Sequence, residues 1–150
     1  DFDVHHGNGT QDIFWDDVEA FYASSHQYPF YPGTGSSRER GAHNNVVNVP
    51  LAAGDRGDVF RGGMRDEILP ALDAFKPDFV IISAGFDAHK DDPLGQLGLT
   101  EIDFAWATAA IMDLARTTCG GRVVSVLEGG YNLDALADCV TAHVETLKDH

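Results

Sequence analysis

Apolar positions along the 150-residue chain follow two alternating rhythms. The runs Val46–Leu51, Phe79–Ala84 and Arg122–Leu127 are β-rich and predict strands. The second is apolar almost throughout, as expected of a strand buried on both faces. Glu19–Ser24 predicts a short fourth strand, and Asp1–Asp3 reads as the tail of another. Between these runs the period lengthens to that of a helix. Residues 58–75 place Met64, Ile68 and Leu72 on one face, with Pro70 expected to kink or split the helix. A second helix opens at Thr100, whose hydroxyl can cap it with Asp103 three residues on, and buries Phe104, Ala107, Ile111 and Leu114. Gly120-Gly121 ends it. A third helix carries Leu136, Val140, Val144 and Leu147.

Strands alternating with helices predict an α/β domain, a parallel sheet flanked by helices. Residues 27–45 break the pattern: Pro29, Pro32, Gly33, Gly35, Ser36 and Ser37 make a long loop, a length that is usually either functional or disordered. The chain has the size of one domain, its 43% hydrophobic content supports a core, and no apolar run reaches a membrane span. Cys119 and Cys139 stand alone, without the CxxC spacing of a thiolate zinc site. With no secretory leader at Asp1-Phe2-Asp3, a cytoplasmic location is expected. A motif at the first residue, without Met, leads to the expectation that upstream sequence is missing. The net charge of −14, from 24 acidic and 10 basic residues, argues against direct nucleic-acid binding and favours cationic substrates.

Ligands of open parallel sheets bind beyond the carboxyl ends of strands. Three such ends are chemically unusual. In Asp1-Phe2-Asp3-Val4-His5 alternate residues share a face, so Asp1, Asp3 and His5 point together, and Gly7 and Gly9 allow a sharp turn after them. Asp87 stands where the second strand stops. Carboxylates plus an imidazole, with one position left open, match a catalytic zinc site. At the third end Gly129 and Gly130 bring backbone close to a cleft and deliver the Tyr131 hydroxyl, a neutral donor suited to an oxyanion.

Asp1–Thr10 (DFDVHHGNGT), Ala84–His89 (AGFDAH) and Glu128–Leu133 (EGGYNL) resemble the zinc-dependent histone deacetylase and acetylpolyamine amidohydrolase superfamily. Tyr31–Gly35 (YPGTG) resembles its loop beside the substrate tunnel. Glu128 and Asn8 are closer to the class II enzymes. The resemblance implies a three-layer arginase–deacetylase fold, here incomplete, with residues 1–150 as the C-terminal part of one catalytic domain. It implies zinc-dependent hydrolysis of an N-acetyl amide, either acetyl-lysine in proteins or an acetylated polyamine. Asp3, His5 and Asp87 would hold zinc. Asp1, Ser24 and Ser25, with backbone carbonyls of Asp3 and His5, would hold a structural potassium ion. Tyr131 would donate to the oxyanion, and Tyr31, where the family usually has Phe, would wall the acyl tunnel beside Gly129 and Gly130. The proton-transfer histidine pair of the family lies upstream, so the isolated stretch is expected to be inactive.

Two other readings compete. A two-metal arginase-type ureohydrolase would need carboxylates where Gly7 and His89 stand. A catalytically dead binding module on the same scaffold need not retain the three ligands and the tyrosine, all of which are present.

Overall fold

The computed structural model describes residues 1–150. Two pairs of parallel strands form its centre: β1 (Tyr22–Gln27) with β2 (Val46–Leu51), and β3 (Val80–Ala84) with β4 (Val123–Leu127). The registers run Tyr22 opposite Val46 and Val80 opposite Val123.

Residues 1–4 lie between the two pairs without forming a regular strand, which corrects the strand tail expected there. They still stitch both sides. The Ser25 and Gln27 amides donate to the carbonyls of Asp1 and Val4 at 3.1 and 2.9 Å, and the Phe2 amide donates to Ser83 at 3.2 Å. The ladder breaks because Asp3 turns its carboxylate back onto the His5 amide at 2.8 Å, bending the chain where an extended strand would continue.

The first strand also begins later than its hydrophobicity implies. Ser24, Ser25, His26 and Gln27 are polar, yet all four are buried in β1. Their polar atoms are mostly satisfied inside: His26 sits between Ser24 Oγ (2.8 Å) and the Gly35 carbonyl (2.7 Å), and Gln27 donates to Gln96 at 2.9 Å.

Helix α1 (Asn8–Ile13) was not legible. It has no apolar stripe; its one buried residue is Gln11, whose side chain bonds His6, Asn48 and Glu39. Polar anchoring, not hydrophobic periodicity, seats it.

Residues 57–75 form α2 (Gly57–Gly63), a π-helical turn (Met64–Ile68) and α3 (Leu69–Phe75). The π turn falls just before Pro70, in the first turn of α3, where a missing N–H is tolerated. This is the split that the proline predicts. Helix α4 (Glu101–Cys119) starts at Thr100, whose N–H donates to the Asp103 carboxylate at 2.8 Å, and stops at Gly120 in the left-handed region. Its Phe104, Ala107 and Ile111 join Val80, Ile82 and Ala84 in the core.

Helix α5 (Leu133–Asp149) is rotated from the expected stripe: Ala135, Cys139 and His143 are buried, while Val144 is 52% exposed. The cause is a polar core contact. His143 Nδ1 lies 2.7 Å from Thr108 Oγ1 and Nε2 lies 2.8 Å from Ser125 Oγ. Thr108 already donates to Phe104, so it accepts from Nδ1–H.

β3 is likewise not buried on both faces. Ile81 is 66% exposed while its neighbours Val80 and Ile82 are buried. In this chain α4 and α5 cover one face of β3 and β4, and the three-layer arrangement is present in part.

Burial lowers the proton affinity of His143, and of His26, where it falls to about 4. The unfolded chain therefore binds more protons between the usual value near 6.5 and the folded values. As far as these two rings are concerned, stability is complete above about pH 6.5 and is lost as the pH falls; for His26 alone the loss is on the order of 3 kcal/mol. His143→Gln should flatten the acid limb of a thermal-midpoint profile. An acid limb as steep as the parent's would contradict this.

Candidate metal centre

Three loops meet beyond the strand ends. Asp3 and His5 come from the opening segment, Asp87 from the turn after β3, and Gly129 to Tyr131 from the turn after β4. One ligand atom each from Asp3, His5 and Asp87 lies within 4.8 Å of the others. His5 Nδ1 is 3.0 Å from Asp3 Oδ1 and 3.2 Å from Asp87 Oδ2.

The surroundings orient both carboxylates. Asp3 Oδ2 accepts from the Gly129 amide at 2.9 Å, and Asp87 Oδ1 accepts from the Val4 amide at 2.8 Å. Asp87 is fully buried, yet its Oδ2 has no hydrogen-bond partner. Burial, and then the charge of Asp3, push its carboxyl well above the usual carboxylate range. A buried oxygen without a donor, facing a second carboxylate and an imidazole nitrogen, fits a divalent cation.

The glycines are part of that fit. A Cβ on Gly129 would fall 2.1 Å from Asp87 Oδ2 and 2.7 Å from Asp3 Oδ2, and one on Gly85 would fall 2.2 Å from Asp3 Oδ2. Gly129→Ala is expected to displace both carboxylates. Outer-shell changes typically cost 10–100-fold in metal affinity, and a loss of about that size should appear in chelator competition. Unchanged zinc affinity would show that the close approach is unimportant.

A cleft of about 630 Å³ opens over Asp3 and His5, lined also by Tyr31, Leu94, Gly129 and Tyr131, with Asp87 buried behind them. Tyr131 is 51% exposed, and desolvation, followed by the charges of Asp87, Asp3 and Asp92, raises its phenol above the ordinary value. It is therefore protonated, a donor, at neutral pH. Gly130 precedes it with φ +142°, a value that favours glycine. A larger apolar cavity of about 880 Å³ lies elsewhere, between β1, β3 and residues 64–79, and holds none of the triad.

Tyr31 meets the His5 ring edge-on at 6.0 Å, but Phe30, which sequence reasoning passed over, stacks on it at 5.3 Å and 15°. The aromatic pair between Pro29 and Pro32 was the available signal. The residues assigned to potassium are less uniform. Asp1 turns its carboxylate to the Asp3 amide (3.0 Å) and the Tyr22 hydroxyl (3.1 Å), apart from the triad. The Ser24 hydroxyl is engaged by His26, whereas Ser25 Oγ is buried without a partner. His89 is buried near Asp91 and Glu101, and the Asp3–His5–Asp87 group is the one set of three metal-ligating side chains.

Parallel α/β layers with a convergent Asp–His–Asp set beyond the strand ends define a protein of the arginase–deacetylase fold. Within that class, the chain belongs to the histone deacetylase domain family, whose model matches residues 1–147. It is 46% identical to "Histone deacetylase 10, chloroplastic" of Oryza sativa subsp. japonica, over 93% of this chain and 32% of that protein. It is 39% identical to "Histone deacetylase-like amidohydrolase" of Pseudomonas aeruginosa, over 98% of this chain and 40% of that protein. The crystal structure of the HDA15 HD domain superposes with a TM-score of 0.92 at 41% identity, covering 99% of this chain and 43% of that one. The chain thus spans 32 to 43% of the length of these relatives. The class II-like resemblance agrees with them. No helix is long and apolar enough to cross a membrane.

Proposed function

We propose that residues 1–150 are the C-terminal part of a single catalytic domain that hydrolyses N-acetyl amides with zinc. The observation that carries this reading is the buried, donor-free Asp87 oxygen facing Asp3 and His5. Asp3, His5 and Asp87 would hold the ion. Zinc, when bound, polarises an acyl carbonyl and lowers the pKa of water. Gly129 holds Asp3 in place through its amide, and Gly130 sets the turn that presents Tyr131. The Tyr131 phenol donates to the oxyanion developing on the acetyl oxygen. Phe30 and Tyr31 flank His5 and form an aromatic wall for the acyl chain.

The general base comes from outside these residues. His6 is held between Thr34 and Gln11, His26 between Ser24 and Gly35, and His143 between Thr108 and Ser125. His5 is a ligand. No other imidazole lines the cleft except the engaged His6, so the isolated chain would be inactive. A structural potassium ion would use Asp1, Ser24 and Ser25 with the backbone carbonyls of Asp3 and His5; Ser24 donates its proton to His26, which leaves its oxygen lone pairs available to a cation. Acetylated lysine peptides and acetylated polyamines are the substrate classes, consistent with the net charge of −14. Two free, buried cysteines accord with a cytoplasmic site of action.

The test is turnover by the full-length, zinc-loaded protein on a fluorogenic acetyl-lysine peptide and on acetylated polyamines. Chelator-sensitive release of acetate is expected. A zinc-loaded protein that hydrolyses neither substrate would favour a binding module instead.

A further inference from the structure

The loop carrying Tyr131 is held by a residue that lies 39 positions away. Asp92 is 8% exposed and uses both carboxylate oxygens. Oδ1 accepts from the Leu94 and Gly95 amides at 2.8 and 3.2 Å, closing its own turn. Oδ2 accepts from the Tyr131 amide at 2.8 Å. That is the one hydrogen bond Tyr131 makes; its phenol has none within the chain. Asn132 reinforces the same junction, donating to the Asp91 carbonyl at 2.9 Å while capping α5.

The other end of the Asp92 turn is pressed onto the ligand side. A Cβ on Gly95 would fall 2.2 Å from the Asp87 carbonyl oxygen. The turn is thus seated against the backbone of one candidate metal ligand and reaches across to the backbone of the candidate oxyanion donor. A turn of this kind needs one acceptor oxygen. The second oxygen goes to Tyr131, and it is the part that closing the turn does not explain.

We propose that Asp92 is a positioning residue for the reaction: it fixes the Tyr131 backbone relative to the Asp87 loop, so that the phenol is placed over the metal site before substrate arrives. The proposal rests on the reading of Tyr131 as oxyanion donor. Misplacement of a catalytic group by about 1 Å can cost as much as about 10²-fold, which sets the upper scale of the effect.

The test uses the full-length, zinc-loaded protein and a fluorogenic acetyl-lysine peptide. The variants are Asp92→Asn, Tyr131→Phe and the double variant. The single carbonyl oxygen of Asn can serve the turn or the Tyr131 amide, not both. Asp92→Ser is the second variant, because its hydroxyl can close the turn but cannot reach Tyr131. Expected are a kcat roughly 10- to 100-fold lower, with KM and zinc content unchanged, and faster hydrogen exchange of the peptide spanning residues 128–133. In the Tyr131→Phe background Asp92→Asn should cost nothing further, since both act through one phenol. Wild-type kcat in both Asp92 variants would overturn the proposal, and so would losses that add fully to those of Tyr131→Phe. Loss of zinc in either Asp92 variant would also overturn it, by showing a role in holding the Asp87 loop. Wild-type turnover by Tyr131→Phe alone would remove the oxyanion reading, and the proposal with it. A defect in Tyr131→Phe without one at Asp92 would remove the proposal only.

Discussion

Asp87→Asn is expected to abolish zinc binding while leaving the metal-free protein at least as stable as its parent. The two effects have opposite origins in one atom pair. Asp87 Oδ2 is buried without a donor and faces a second carboxylate, so without a cation it is a liability. Asparagine keeps an oxygen for the Val4 amide, now at 2.8 Å from Oδ1, and removes the charge. It is also a poor zinc ligand. Outer-shell changes cost 10–100-fold in metal affinity, so loss of a direct ligand, the role proposed for Asp87, should exceed about 100-fold. Calorimetric titration with zinc and melting with and without the metal measure both consequences. The parent should gain in melting temperature on zinc addition, and the variant should not. A variant that still binds zinc with parental affinity would show that Asp87 is not a ligand.

Tyr131→Phe carries the second large effect. Removing one preorganised donor to a developing oxyanion typically costs about 10²–10³ in kcat. The phenol is held protonated by desolvation and by the nearby carboxylates, so the loss should persist across neutral pH. Zinc content and fold should be unaffected, because the Tyr131 side chain makes no hydrogen bond within the chain and is half exposed. Steady-state kinetics of the full-length protein, with zinc measured in parallel, decide the matter. Near-parental kcat would refute the role.

The convergence of Asp3, His5 and Asp87 was legible although residues 1–4 form no regular strand: their backbone bonds to β1 and to Ser83 of β3 carry Asp3 and His5 to the end of β3, where Asp87 stands. What the sequence concealed follows from polar burial. Hydrophobic periodicity cannot see a strand such as Ser24–Gln27, whose side chains are buried through hydrogen bonds. It also misses α1, seated by Gln11, and the one-residue rotation of α5 that puts His143 in the core. Phe30 was passed over because the resemblance drew attention to Tyr31, one residue on. The exposed alternate face of β3 was unreadable for a different reason: a continuous apolar run does not state which layers are present to cover it.

Anomalous diffraction at the zinc edge, from crystals of the zinc-loaded full-length protein, addresses the metal centre itself. The account predicts one strong peak in this region, within about 2.0–2.2 Å of a carboxylate oxygen of Asp3, Nδ1 of His5 and Oδ2 of Asp87. A pair of adjacent peaks, or a zinc ion bound elsewhere with these three groups left unliganded, would contradict it.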